Sequence, residues 1–240
     1  MRGNDDLAQE ERRGEICNPV IRGLAAALEK EMKKILFYGD SNTYGFDPRD
    51  GSFGRYDARY RWPDILTARY GHDFQIAVDG LNGRQIPATP IGQSAVDKWI
   101  RLEAPVDLFV FMLGSNDLLC MANPDPNGVA WRADRFVRHL YGTKKNGLSP
   151  LQILMIAPPA MALHDVPYYR RYDTTNGKLS QALFEVAEEN EIRFLDAAGF
   201  EIPMAYDNVH FSELGHEVFA EILAQQLFEP WLAEIRQAGQ

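Results

Sequence analysis

The 240-residue chain is 45% hydrophobic and carries a formal net charge of −9. That length and apolar content suit one sizeable globular domain, and the acidic balance leaves no basic excess to neutralise the phosphates of a nucleic acid or an anionic membrane surface. Two cysteines, Cys17 and Cys120, are too few for a disulfide framework; no Cys/His cluster marks a structural zinc, and no apolar run approaches the length that crosses a bilayer.

In chain order, the first fifteen residues are charged and polar, with no periodicity. Asn18-Pro19 then offers a cap and a first-turn proline, and Ile21, Leu24 and Leu28 follow at helical spacing, which predicts a helix from about 18 to 31. Met32-Lys33-Lys34 reads as a start codon followed by a first strand. Residues 1–31 are therefore expected to be an appendage, partly helical or disordered, and residues 32–240 the domain proper. No signal-peptide core precedes Cys17, so the expected location is the cytoplasm.

From Lys33 onward strands and helices alternate. Continuous apolar runs predict strands at 34–39, 74–79, 107–113, 151–157 and 192–196; continuity rather than alternation suits strands buried on both faces. Helices are expected at 62–70, 93–103, 128–141 and 175–190, the last with Leu179, Ala182, Leu183, Val186 and Ala187 on one face. A final helix is expected over about 213–236, with Leu214, Val218, Phe219, Ile222 and Leu227 inward. The alternation implies an α/β fold, a parallel sheet covered on both sides. The loops 44–61, 80–92, 120–128 and 158–173 follow strands, on the side where such sheets bind ligands.

Four segments carry residues able to do chemistry. Ser41 follows the first strand within Gly39-Asp40-Ser41; by itself it also fits a helix N-cap. A serine hydroxyl becomes a nucleophile only beside a base that is itself oriented. Asp207-Asn208-Val209-His210, just before the last helix, holds an acid and an imidazole three residues apart, although Ser212 as a cap with His210 at the surface fits the same stretch. Gly83, in Asp79-Gly80-Leu81-Asn82-Gly83-Arg84, can expose a backbone N–H, and Asn116, in Gly114-Ser115-Asn116-Asp117, can offer an amide to a developing oxyanion; both stretches also read as ordinary turns.

Together, and in this order, the four segments resemble the blocks of the SGNH (GDSL) hydrolases, over about residues 33–235. The resemblance implies a three-layer α/β/α fold, a flavodoxin-like five-stranded parallel sheet of order 2-1-3-4-5. It implies Ser41 as nucleophile, His210 as general base and then acid, and Asp207 as its orienting partner. The N–H groups of Ser41 and Gly83 with the Asn116 side chain would form the oxyanion hole. Arg61-Trp62-Pro63-Asp64-Ile65-Leu66, the Asp79–Arg84 stretch, Ala104-Pro105-Val106-Asp107-Leu108 and Met112–Asp117 are similar to the arylesterase and acyltransferase branch. Asn42 and Tyr44 stand where that branch usually has Leu and Trp, Gln85-Ile86 replace its Thr-Thr, and Asn208 replaces a glycine in a turn that Asn tolerates.

The expected activity is thus a serine esterase acting on small or medium acyl esters through an acyl-enzyme, with no cofactor and no metal. The expected partner is a small-molecule ester, not nucleic acid or membrane; homo-oligomer formation is left open. The alternatives are a catalytically quiet carbohydrate- or acyl-binding module of the same fold, or a thioesterase or acyltransferase. Tyr44, Phe46 and Trp62, with the Tyr168-Tyr169-Tyr172 group, are expected along the substrate wall, with ordinary loop packing as the competing reading. Arg84 faces either an acidic leaving group or a neighbouring carboxylate. Asp207, His210 and His216 can be drawn as metal ligands, but His216 falls inside the last helix, where a surface or capping role is expected instead. Neither G-x-S-x-G nor a phosphate-binding glycine loop is present.

Overall fold

The computed structural model describes residues 32–50, 54–143 and 146–238. The expected appendage and its helix over 18–31 lie outside the described residues. Five strands, β1 (Lys33–Gly39), β2 (Phe74–Gly80), β3 (Leu108–Met112), β4 (Ile153–Ala157) and β5 (Arg193–Asp196), form one sheet in the order β2-β1-β3-β4-β5. The β1–β3, β3–β4 and β4–β5 pairs are parallel, with Gly39 opposite Met112 and Met112 opposite Ile156. All residues of β3 and β4 are buried, which explains their unbroken apolar runs.

The pleat sends alternate side chains into two cores. Leu36 and Tyr38 join Phe109, Phe111 and Met155 under α3 (Pro90–Glu103), α5 (Pro126–Gly142) and α6 (Lys178–Glu189). Ile35 and Phe37 join Val110 and Ile156 on the opposite face, under α2 (Trp62–Tyr70) and α7 (Glu213–Leu223). The result is the three-layer α/β/α architecture that the resemblance implied. The α6 face is buried as its spacing predicts, at Leu179, Ala182, Leu183, Val186 and Ala187. Helices α3 and α5 begin earlier than their apolar spacing suggests, because Thr89-Pro90 and Asp125-Pro126 supply a side-chain cap and an N1 proline.

Two short helices follow strands directly: α1 (Ser41–Tyr44) after β1 and α4 (Ser115–Leu119) after β3. Neither has the length for a periodic signal. The expected last helix is interrupted. After α7 comes a π turn (Ala224–Phe228) and then α8 (Glu229–Ala238). Pro230 has no N–H to donate, so a regular α ladder would lose a bond there; the wider turn lies just ahead of it. The buried face of α7 is Gly215, His216, Phe219, Ala220 and Leu223, whereas Leu214, expected inward, is 56% exposed.

Candidate active site

The site lies beyond the C-terminal ends of β1 and β3, where the strand order reverses. Gly39 ends β1 with no side chain because a Cβ there would fall 2.0 Å from Thr43 Oγ1. The absent Cβ lets α1 turn back tightly onto the strand, with Asp40 as its N-cap accepting from the Asn42 N–H at 3.0 Å. Ser41 is the first residue of α1 and is 6% exposed.

Residues 169 positions apart in the chain meet here: His210 Nε2 lies 3.0 Å from Ser41 Oγ. On the other side of the ring, His210 Nδ1 lies 2.6 Å from Asp207 Oδ2. The second oxygen, Asp207 Oδ1, accepts the N–H groups of Val209 and His210, each at 3.0 Å. Asn208 makes this tight loop with a left-handed backbone, φ 56°, so the replacement of glycine by Asn keeps the turn. Burial pushes the Asp207 carboxyl upward, but the hydrogen bonds from the His210 ring and the two backbone N–H groups outweigh it and hold the group below the ordinary carboxylate range. An ionised carboxylate on Nδ1 keeps the proton on that nitrogen and leaves Nε2 free to accept one from the hydroxyl.

Gly83 has φ 73°, in the left-handed region that favours glycine, and an added Cβ would meet no atom within 4 Å. Among the described residues, neither its N–H nor that of Ser41 donates a hydrogen bond. The Asn116 side chain is engaged: Nδ2 donates to Asp40 Oδ2 at 3.3 Å and to the Arg84 carbonyl at 3.2 Å. Both bonds are long for N–H donors.

The expected substrate-wall residues part ways. Phe46 lies against the imidazole, its ring centroid 4.7 Å from that of His210. Tyr44 sits beneath the Arg55 guanidinium, 4.3 Å from carbon to centroid, and lines a separate cavity of about 270 Å³ with Arg55, Arg61, Asp64 and Asp79. Trp62 overturns its expectation. It is 1% exposed, packs edge-on against Phe37 and Phe219, and donates from Nε1 to the Asn42 carbonyl at 2.9 Å, so its ring offers no face to a substrate. In the 158–173 loop, Tyr172 is buried and bonds the Met121 carbonyl, while Tyr168 and Tyr169 are exposed.

Several residues support the site through contacts that a linear motif does not show. Arg84 turns inward, donating to the carbonyls of Gly39 and Asp79 and to Asp79 Oδ1, with its guanidinium 4.0 Å from the Tyr38 ring centroid; the neighbouring carboxylate is its partner. Asp117 is 1% exposed and accepts from the Ile86 N–H and from Arg132 Nη1, each at 3.0 Å. It thereby ties the loop bearing Gly83 to the helix bearing Asn116. Burial raises its carboxyl above the usual range. His216 is a second correction: it is fully buried between Tyr56 and Phe211, neither at the surface nor capping a helix. Among the described residues no group of three His, Cys, Asp or Glu is placed to hold a metal ion.

Comparisons with known proteins bear on the family and the fold. A family model described as the GDSL-like lipase/acylhydrolase family matches residues 37–218. No curated protein matches the chain significantly. Among solved structures, the inhibitor-bound aryl esterase of M. smegmatis is similar at 25% identity with a TM-score of 0.68, over 81% of this chain and 98% of that one. A carbohydrate acetylesterase family member from Sinorhizobium meliloti is similar at 26% identity with a TM-score of 0.68, over 85% and 99%. With a family match across most of its length and esterases among its structural neighbours, the chain belongs to the GDSL-like lipase/acylhydrolase family and is a serine ester hydrolase.

Proposed function

We propose that the enzyme hydrolyses small or medium acyl esters through a Ser41–His210–Asp207 triad and an acyl-enzyme intermediate. The observation that carries the reading is the continuous path from Ser41 Oγ through the imidazole to Asp207, at 3.0 and 2.6 Å. Ser41 Oγ attacks the ester carbonyl carbon while its proton passes to His210 Nε2. The carbonyl electrons move onto oxygen, which is met by the N–H groups of Ser41 and Gly83 and by Asn116. For Asn116 this means exchanging one of its two long hydrogen bonds for a stronger one to the oxyanion, a gain made only in the transition state. Collapse expels the alcohol, which takes the proton from Nε2. Water, deprotonated by the same imidazole, then attacks the acyl-Ser41 ester, and Ser41 leaves with that proton.

The aryl esterase and the carbohydrate acetylesterase among the structural neighbours support a short acyl group on either an aromatic or a sugar alcohol. The test is turnover of 4-nitrophenyl acetate and labelling by a fluorophosphonate, in the wild type and in Ser41→Ala. Burst release of nitrophenol and a phosphonate adduct at Ser41, both lost in S41A, are expected. A wild type that neither turns over nor labels would remove the acyl-enzyme reading.

A further inference from the structure

Asn42 stands between the turn that carries Ser41 and the loop that carries His210, and its polar groups all have partners. Its backbone is fixed at both ends: the N–H donates to Asp40 Oδ1 at 3.0 Å and the carbonyl accepts from Trp62 Nε1 at 2.9 Å. Its side chain crosses to the other loop. Nδ2 donates to the Val209 carbonyl at 3.0 Å, and Oδ1 accepts the Phe211 N–H at 2.8 Å. These two groups belong to the peptide units immediately before and after the His210 Cα. One carboxamide therefore grips the histidine's backbone on both sides, and it is 5% exposed, out of competition from water.

We infer that Asn42 is a positioning residue, whose carboxamide locks the His210 backbone to the Ser41 turn and so sets the distance between hydroxyl and imidazole. The inference rests on the roles proposed above for Ser41 and His210. The two come from distant parts of the chain. Other contacts also join these segments, such as Tyr206 to the Pro48 carbonyl and Phe46 against the His210 ring. The Asn42 carboxamide, however, is bonded to the peptide units on both sides of His210, and a misplacement of about 1 Å between reacting groups costs on the order of 100-fold in rate. The tie belongs to this chain's own residues, since the branch it resembles usually has Leu at this position. A carboxamide offers a donor and an acceptor on one short plane; leucine of similar shape offers neither, and aspartate lacks the donor.

The test compares the full-length wild type with Asn42→Leu and Asn42→Asp. Turnover of 4-nitrophenyl acetate, the rate of fluorophosphonate labelling at Ser41, and the downfield proton resonance of His210 Nδ1–H are followed. For N42L the expected result is a kcat lower by about 10–100-fold, with KM little changed, labelling slowed in parallel and the resonance displaced. N42D keeps the acceptor for Phe211 but turns a second acceptor on the Val209 carbonyl. Its kcat falls too, because the added acceptor repels the Val209 carbonyl and loosens the loop that carries His210. A folded N42L with wild-type kcat and an unmoved resonance overturns the inference, as does a loss that vanishes when rates are divided by the titre of labelled sites. If N42L does not fold, N42D decides on the same readouts. A wild type unlabelled at Ser41 overturns the acyl-transfer reading and this inference with it; an active wild type beside an unaltered N42L overturns this inference alone.

Discussion

The carboxylate of Asp40 and the carboxamide of Asn116 face each other at 3.3 Å, one following β1 and the other following β3. Asp40 is 2% exposed. Burial raises its carboxyl to about 6, against the smaller opposing effects of the Asn42 N–H, His210 and Arg84. The folded state therefore holds this proton more tightly than the unfolded chain. Its stabilising contribution is complete below the ordinary carboxylate range and is lost as pH rises through about 6. The difference is on the order of 3 kcal/mol. Asp40→Asn, uncharged at every pH, is expected to raise the melting temperature relative to wild type more at pH 8 than at pH 4. It is also expected to lower kcat, since an amide nitrogen placed against Asn116 no longer holds that side chain. Paired thermal melts and rates at the two pH values check both.

Asn116 itself is the sharpest test of the proposed oxyanion hole. In the resting enzyme it spends its N–H groups on two long bonds, so its removal leaves only Asp40 Oδ2 and the Arg84 carbonyl with a lost donor. Asn116→Ala is expected to cost about 2.7–4 kcal/mol in the acylation barrier, read as a fall in kcat with little change in KM. An unaltered rate would assign oxyanion stabilisation to the backbone donors alone.

Arg132 acts from further away. It bonds Asp117 Oδ1 at 3.0 Å and Gln85 Oε1 at 2.9 Å, and Asp117 in turn fixes the Ile86 N–H. Arg132→Ala leaves the buried Asp117 carboxyl short of a partner. A destabilisation of about 1–3 kcal/mol is expected, seen as a lower urea midpoint. Because the same network joins the Gly83 loop to α4, kcat should fall further than the small unfolded fraction explains. Both bonds leave from one nitrogen, Nη1, so Arg132→Lys, which keeps the charge on a nitrogen with three donors, should recover much of the lost stability.

What the sequence made legible follows the range of the interactions involved. Strands buried on both faces announce themselves by composition alone, as Leu108–Met112 does. The four chemical segments were legible because each is local, and their order resembled a known family. Strand order came only through that resemblance. Asn42 and Asp117 were not legible as supports, because their partners lie 167 and 31 residues away and a turn-forming polar residue looks the same with or without them. For Arg84 the neighbouring carboxylate of Asp79 was one of two readings, and only its bond to the Gly39 carbonyl, 45 residues away, was out of sight. Trp62 was misplaced because an aromatic beside a loop fits a substrate wall and a core equally well; only the packing of α2 against α7 decides. His216 was readable in principle, at helical spacing with Phe219, Ala220 and Leu223, but a polar residue argues for the surface unless the face it shares is weighed first.

That buried histidine yields the last prediction. His216 is fully enclosed, edge-on to Tyr56 and Phe211, and among the described residues neither ring nitrogen has a hydrogen-bond partner. Burial, reinforced by the nearby Arg61 charge and by repulsion from His210 when that ring is protonated, lowers its pKa to about 3. In the unfolded chain the imidazole takes up a proton near its ordinary 6.5, whereas the folded state refuses it. The contribution to stability is thus present above that value and drains away as pH falls towards 3, by about 1.4 kcal/mol per pH unit. His216→Met fills the aromatic pocket without polar nitrogens to desolvate and without a proton to exclude. It is expected to be no less stable than the wild type at pH 8 and clearly more stable at pH 4.5, so that the two melting curves diverge on acidification. Parallel curves across that range would mean that the ring is protonated, or reached by water, in the folded enzyme.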